Sequence, residues 1–342
     1  MSLRLKMALG AMAVALAGSV VAATGSMAST ARVSHAAAKS VVVELDWVPN
    51  PDHVALYYAL KKNYFSKAGL SVSLQAPSNA ADPIKLVGLG KVDLAISYES
   101  EMFYGQQEGL PVVAVSTIVP VPLNSLIVTP KDHVTKLSQL KGKKVGITGI
   151  PSDGAIYQML LRTTHMTAKQ IPSVTVGENL VPSILSGRVD AIVGGYRNVE
   201  AIQIAQEMGT KPTVFPASSL GVPNYAELVL VANRNRLKSD PAYAAKVKSF
   251  VGALSAATTA AIANPGGTTT IMEQVSQYTT KFLKVSVPYT LSLIKPTAGH
   301  KVGCMSEASW QSFGTWMKQQ KLITDTPKAA PLTTDAYLPY SC

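Results

Sequence analysis

At 342 residues, 47% hydrophobic and 15% charged, the chain is too long for one ordinary domain and too apolar for a disordered one, so two lobes with sizeable cores are expected. Its formal charge of +11 comes from scattered bases without interleaved aromatic residues, which argues against nucleic-acid binding and for a basic surface beside an anionic envelope. Two cysteines 38 residues apart offer no metal-ligand spacing.

Residues 1–28 read as a secretory signal peptide. Arg4 and Lys6 form a short positive region, Met7 to Ala23 an Ala-rich apolar run, and Ser26-Met27-Ala28 a small-residue cleavage site. Gly, Ser and Ala dilute the run below what a membrane-spanning helix needs. No cysteine near the cleavage site marks a lipid anchor. Residues 29–39 are expected as a disordered lead-in. The mature chain would then work outside the cytoplasm, in the periplasm or at the cell envelope, where Cys304 and Cys342 can pair and pin the proline-containing segment that follows Pro327.

Val41 to Val43 reads as a buried parallel strand. Pro49 and Pro51 then forbid simple continuation, and Val54, Leu56, Tyr57, Ala59 and Leu60 carry a helical pattern. In an open α/β sheet such a strand-turn-helix puts its turn where ligands bind. Trp47 offers a flat apolar face there, and Asn50, Asp52 and His53 offer polar edges. Gly69 ends a helix, Ser71 to Gln75 alternates as a strand, and Pro83 opens a helix that stops at Gly90. Val92 to Ser97 is the next strand, with Tyr98-Glu99-Ser100-Glu101 at its carboxyl end. A helix over 102–108 and a strand over 112–118 complete a βαβαβ order, which predicts a right-handed, mainly parallel sheet.

A weak repeat links the two halves: Pro83 to Ile96 and Pro182 to Ile192 each give a Pro-started helix, a Gly-basic turn and Val-Asp leading a strand. The second lobe begins near Thr129-Pro130. It holds a strand over 143–148, a turn over 149–154 containing Asp153, a helix over 155–163, a strand end bearing Glu178, and a strand over 191–193 ending in Gly194-Gly195-Tyr196-Arg197-Asn198-Val199-Glu200. Tyr196 and Glu200 share a helix face if the helix begins by Tyr196; from a turn, both can still point into the crevice. Ser125 to Val128 and Leu228 to Val231 read as the crossings between lobes, so lobe one is expected to comprise 40–127 plus 232–342 and lobe two 128–231. An Ala-rich helix over 241–264 returns to lobe one. Trp310, Phe313 and Trp316 form a core-facing stripe at helical spacing.

Several of these segments together carry a family resemblance over roughly residues 40–235: Leu45-Asp46-Trp47-Val48-Pro49-Asn50 with His53, Tyr64-Phe65, Ile96-Ser97-Tyr98-Glu99-Ser100-Glu101, Pro122-Leu123-Asn124-Ser125-Leu126, Gly149-Ile150-Pro151-Ser152-Asp153, and Gly194 to Glu200. The chain resembles the periplasmic solute-binding proteins of ABC transporters, specifically the ThiY-like, thiamine-precursor-binding group. The resemblance implies a type II periplasmic-binding-protein fold, each lobe a mainly parallel sheet flanked by helices. It also implies hinge closure on a flat heteroaromatic ligand, usually an aminopyrimidine, and docking on a membrane permease. A monomer without cofactor or nucleic acid is expected.

Trp47 with Tyr98 or Tyr196 would face the ring, Glu200 would pair with the amidine-like edge, and Ser97, Asn50 and Asn124 would orient the remaining polar atoms. Glu99, Asp153 and Glu178 are further candidates, and Tyr225 would close from the hinge side. Arg197 and Val199 stand where the family often has aromatics, so riboflavin-type or sulfonate ligands are the alternatives. The group shares its fold with a yeast-type enzyme that makes the thiamine pyrimidine, using a lysine, a histidine and a cysteine-rich run. Lys62 and His53 are available here, but no cysteine run follows Gly195. Binding rather than catalysis is therefore expected.

Overall fold

The valine-rich segment after Ala38 pairs into a sheet from Lys39 onward, in the computed structural model that describes residues 38–342. The expected signal peptide and most of the expected lead-in lie outside the described residues; Lys39, the last lead-in position, already opens a strand. The described strands are β1 (Lys39–Glu44), β2 (Leu70–Gln75), β3 (Leu94–Ser97), β4 (Val112–Val119), β5 (Asn124–Val128), β6 (Val145–Ile147), β7 (Ser173–Thr175), β8 (Ala191–Tyr196), β9 (Thr213–Pro216) and β10 (Leu228–Asn233).

They form two five-stranded sheets, in the orders β2-β1-β3-β10-β4 and β7-β6-β8-β5-β9. β1 runs parallel to β2 and β3, and β6 runs parallel to β7 and β8. One strand in each sheet is reversed. β10 is antiparallel to β3 and β4, and β5 is antiparallel to β8 and β9. The chain thus passes between sheets after β4 and again before β10. This corrects the expected boundaries. Ser125 pairs with Gly195 and Pro216, so β5 belongs to the second sheet. Val229 pairs with Ser97 and Thr117, so β10 belongs to the first.

The unbroken apolar run of β10 has a direct cause. Leu228, Leu230 and Ala232 enter one core and Val229 and Val231 the other, because successive side chains of a strand face opposite sides. Both faces are covered by helices. On one side Phe65 stacks on Phe250 at 4.5 Å between ring centres, beneath the long helix Pro241–Ala263. On the other, the helix Glu307–Gln319 buries Trp310 and Phe313 against Phe103, while Trp316 is half-buried. Each fully buried side chain of this size stabilises the fold by roughly 1.5–3 kcal/mol relative to its exposed state.

The segment after Glu307–Gln319 returns to the first sheet. Ala114 of β4 bridges to Thr333, Ala114 N–H donates to Leu332 O at 2.8 Å, and Thr334 N–H donates to Ala114 O at 3.0 Å. Cys304 and Cys342 are disulfide-bonded, with Cα atoms 5.8 Å apart. No helix among the described residues is long and apolar enough to cross a membrane.

Candidate functional site

The turn after β1 is shaped by its own polar groups. Pro51 opens a short 3₁₀ turn, Pro51–His53. Asp52 N–H donates to Asn50 Oδ1 at 2.8 Å, and Asn50 N–H donates to His53 Nδ1 at 3.3 Å. This reciprocal cap uses Nδ1 as an acceptor, which leaves Nε2–H to donate to Asp46 Oδ1 at 2.8 Å. The Tyr98 hydroxyl donates to the other oxygen of Asp46 at 3.1 Å. His53 is therefore a wholly buried strut behind Asp46 and does not line the cavity.

Across the cleft, Pro151 is the first residue of the helix Pro151–Thr164. Residues 151–154 are its first turn rather than the expected loop, since proline fits where no intrahelical N–H is required. Asp153, in that turn, is 3% exposed. It accepts from Asn124 Nδ2 at 2.7 Å and from the Thr148 hydroxyl, and Asn124 Oδ1 accepts from Gly194 N–H at 3.1 Å. Gly194 has φ +94°, and a Cβ there would overlap the Asp153 carboxylate. Tyr196 ends β8 and Glu200 opens the helix Glu200–Met208, so the pair spans a turn. Tyr196 N–H donates to Glu200 Oε2 at 2.7 Å.

Glu227 stands just before β10. Its Oε2 accepts from Leu123 N–H at 2.6 Å, Asn124 N–H at 2.9 Å and the Tyr225 hydroxyl at 3.0 Å, and its Oε1 accepts from the Tyr196 hydroxyl at 3.4 Å. One carboxylate so ties both passages between the sheets together.

These groups enclose a cavity. Asp46, Trp47, Asn50 and Tyr98 line it from the first sheet. Asn124, Thr148, Ile150, Ser152, Asp153, Leu180, Gly194, Tyr196, Val199 and Glu200 line it from the second, and Glu227 from the return passage. Of the residues expected at the site, the cavity brings together Trp47, Asn50, Tyr98, Asn124, Asp153, Tyr196 and Glu200. The others sit elsewhere. Ser97 is buried in β3. Glu99 opens the helix Glu99–Gln107 and accepts from Ala226 N–H at 2.6 Å, away from the cavity. Tyr225 stacks on Phe313 at 4.9 Å and reaches the site only through Glu227. Glu178 lines an outer groove that shares Trp47, Leu180 and Glu200 with the cavity.

Asp46 and Glu227 were not among the expected residues. Asp46 had a signal, since it directly precedes Trp47 at a strand's end. Glu227 had only its position at the front of an apolar strand.

The carboxyls sit in a poor dielectric. Burial pushes Asp153 up to about 6, against the hydrogen bonds from Thr148 and Asn124. Burial likewise pushes Glu200 and Glu227 up to about 7, opposed by backbone N–H donors and reinforced by Asp153. Such a site favours ligands that bring hydrogen-bond donors.

Two lobes of mainly parallel sheet, joined by paired passages and closed over a polar, aromatic-walled cavity, make this a periplasmic-binding-protein fold. The alkanesulfonate-binding protein SsuA of Xanthomonas axonopodis superposes with a TM-score of 0.65 at 15% identity, covering 87% of this chain and 99% of that one. The periplasmic nitrate-binding protein NrtA of Synechocystis gives 0.66 at 10% identity, covering 87% of each chain. The NMT1/THI5 like family matches residues 50–268, and the chain belongs to that family. A Haemophilus influenzae protein named for thiamine biosynthesis is 34% identical over 298 residues, 86% of this chain and 91% of that one. The formylaminopyrimidine-binding protein of Halalkalibacterium halodurans is 37% identical over 197 residues, 58% of this chain and 59% of that one. A 4-amino-5-hydroxymethyl-2-methylpyrimidine phosphate synthase of Saccharomyces cerevisiae is 27% identical over 232 residues, 65% of this chain and 66% of that one.

Proposed function

We propose that the chain is the extracytoplasmic solute-binding component of an ABC importer and that it captures a thiamine-precursor aminopyrimidine between its lobes. The carrying observation is the convergence of three aromatic side chains, Trp47, Tyr98 and Tyr196, with the Glu200 carboxylate on one cavity. Flat rings bind well against aromatic faces, and a carboxylate complements the N–H-rich edge of an aminopyrimidine. The names of the relatives from H. influenzae and H. halodurans support the same ligand class. The passages between β4 and β5 and between β9 and β10 act as the hinge, and the ligand selects the closed form. The loaded, closed protein then docks on a membrane permease.

Binding is favoured over the synthase chemistry of the yeast relative. His53 is committed to Asn50 and Asp46 behind the cavity, and the two cysteines of the chain are joined to each other. The test is a thermal-shift screen of the mature chain against hydroxymethyl- and formylamino-pyrimidines, thiamine, riboflavin and alkanesulfonates, since a ligand of the native state raises its melting temperature. An aminopyrimidine is expected to give the largest shift. A shift with riboflavin or a sulfonate alone would overturn the ligand while leaving the transport role in place.

A further inference from the structure

Carboxylates dominate the polar lining of the cavity, and most of its side-chain donors are already engaged. Asp46, Asp153, Glu200 and Glu227 face it, and among the described residues no Lys, Arg or His lines it. The Tyr98 hydroxyl is spent on Asp46, Asn124 Nδ2 and the Thr148 hydroxyl on Asp153, Tyr196 N–H on Glu200, and the Tyr196 hydroxyl on Glu227. Nearby basic side chains serve elsewhere. His53 meets Asp46 from behind, and Arg197 donates to Pro122 O and lines a separate groove. The outer groove adds Glu178 and, among its described lining residues, no cation.

A neutral aminopyrimidine carries ring nitrogens that are acceptors. A ring nitrogen facing a carboxylate would set two lone pairs against each other unless a proton lies between them. Glu200 is the carboxylate best placed to share that proton. Both oxygens of Asp46 and of Asp153 already accept hydrogen bonds, and Glu227 Oε2 serves three donors. Glu200 is half-buried, whereas the other three are nearly inaccessible. The groups acting on it are Asp153 and Asp52, both negative when ionised, the backbone N–H groups of Tyr196 and of Glu200 itself, and Tyr278.

We propose that this cleft selects the cationic form of its ring, holding one proton between a ring nitrogen and Glu200, and that it rejects a phosphate ester of the same ring. The inference rests on the aminopyrimidine reading above. The ring nitrogen takes the proton from solvent when Glu200 is ionised, and from Glu200 itself when that carboxyl is protonated. Burial pushes Glu200 and Glu227 up to about 7, and Asp153 adds to the rise in both. Above about pH 8 both free partners lack the proton and the complex holds it, so affinity falls as pH rises.

The experiment is calorimetric titration of the mature chain with 4-amino-5-hydroxymethyl-2-methylpyrimidine and with its phosphate ester, from pH 6 to about 9.5, in two buffers of different ionisation heat. The alcohol is expected to weaken toward about tenfold per pH unit above pH 8, with uptake of about one proton. The ester is expected to bind at least ~100-fold more weakly at pH 7, because its added negative charge meets unpaired carboxylates. Glu200→Gln should flatten the pH dependence; the proton count on the parent protein needs no variant and stands if that variant misfolds. Tight, pH-independent binding of the alcohol, or equal binding of the ester, would overturn this inference alone. No binding of the alcohol at any pH would overturn it together with the aminopyrimidine reading.

Discussion

Trp47 holds its place through its neighbours, since Asp46 before it is clamped by His53 and Tyr98, and Asn50 after it caps the following turn. A flat wall fixed in this way loses little freedom when a ring settles on it. Trp47→Ala is expected to cost roughly 1–3 kcal/mol of ligand binding, read as the change in Kd by calorimetry; an unchanged Kd would remove Trp47 from the site. Glu99 is a residue of another kind. Burial pushes its carboxyl up to about 8, against the hydrogen bond from Ala226 N–H, and its Oε1 is buried without a partner among the described residues. The folded chain keeps this proton up to about pH 8, whereas the unfolded chain releases it near the ordinary value of 4.5. The folded state binds the extra proton across that window, so stability falls as pH rises through it. Glu99→Gln keeps the shape and an acceptor for Ala226 N–H without the ionisation. It should reduce the loss of unfolding free energy between pH 5 and pH 8 by roughly 2–4 kcal/mol, measured by urea denaturation at both values. Parallel losses in parent and variant would show that Glu99 does not carry this dependence.

At the level of single elements, β8 shows what a strand gives up to build a site. A Cβ on Gly195 would come within 2.9 Å of Ile127 and Ile192, and one on Gly194 would strike Asp153 from a left-handed backbone. Gly194→Ala should destabilise the fold by about 1–3 kcal/mol and loosen Asp153 from Asn124, seen as a lower denaturation midpoint together with weaker ligand binding; a parental midpoint would reject the close-packing account. The twin glycines were legible as a turn signal, Tyr196 and Glu200 were legible because one closes a strand and the other opens a helix beside it, and Trp47 because it lies in the proline-marked turn after β1. The turn over 149–154 was misread because Pro151 and Gly154 suit loops as well as first helical turns, and only the backbone distinguishes them. Strands β5 and β10 were recognised as crossings, yet periodicity says nothing about which sheet a strand joins. Glu227 escaped for a related reason. Its role depends on Leu123 and Asn124, far away in sequence, meeting it at the second passage.

Across the whole molecule, a few buried polar contacts join the two lobes beside the cavity. Ser152 N–H donates to Glu101 Oε1 at 3.1 Å, so a carboxylate from the first lobe caps a helix of the second. Asn198 Nδ2 donates to Asp52 Oδ1 at 2.6 Å and to Thr290 Oγ1 at 2.8 Å. Burial pushes the Glu101 carboxyl up to about 7, against its hydrogen bonds with Ser152. Glu101→Gln removes a charge from a helix N-terminus, an interaction worth about 0.3–2 kcal/mol. Because Glu101 does not line the cavity, the variant should bind ligand a few-fold more weakly by lowering the population of the closed form. Small-angle scattering of the ligand-free variant should show a larger radius than the parent, and equal radii with equal affinity would rule out a latch. The first lobe carries a further safeguard. β4 is the outermost strand of its sheet, and Leu332 to Thr334 lie along it in the segment tethered by Cys304–Cys342. An uncovered strand margin is a template for pairing with other chains. Material produced under reducing conditions should therefore bind ligand normally when dilute yet self-associate as concentration rises, so that the redox history of a preparation governs its solubility rather than its activity.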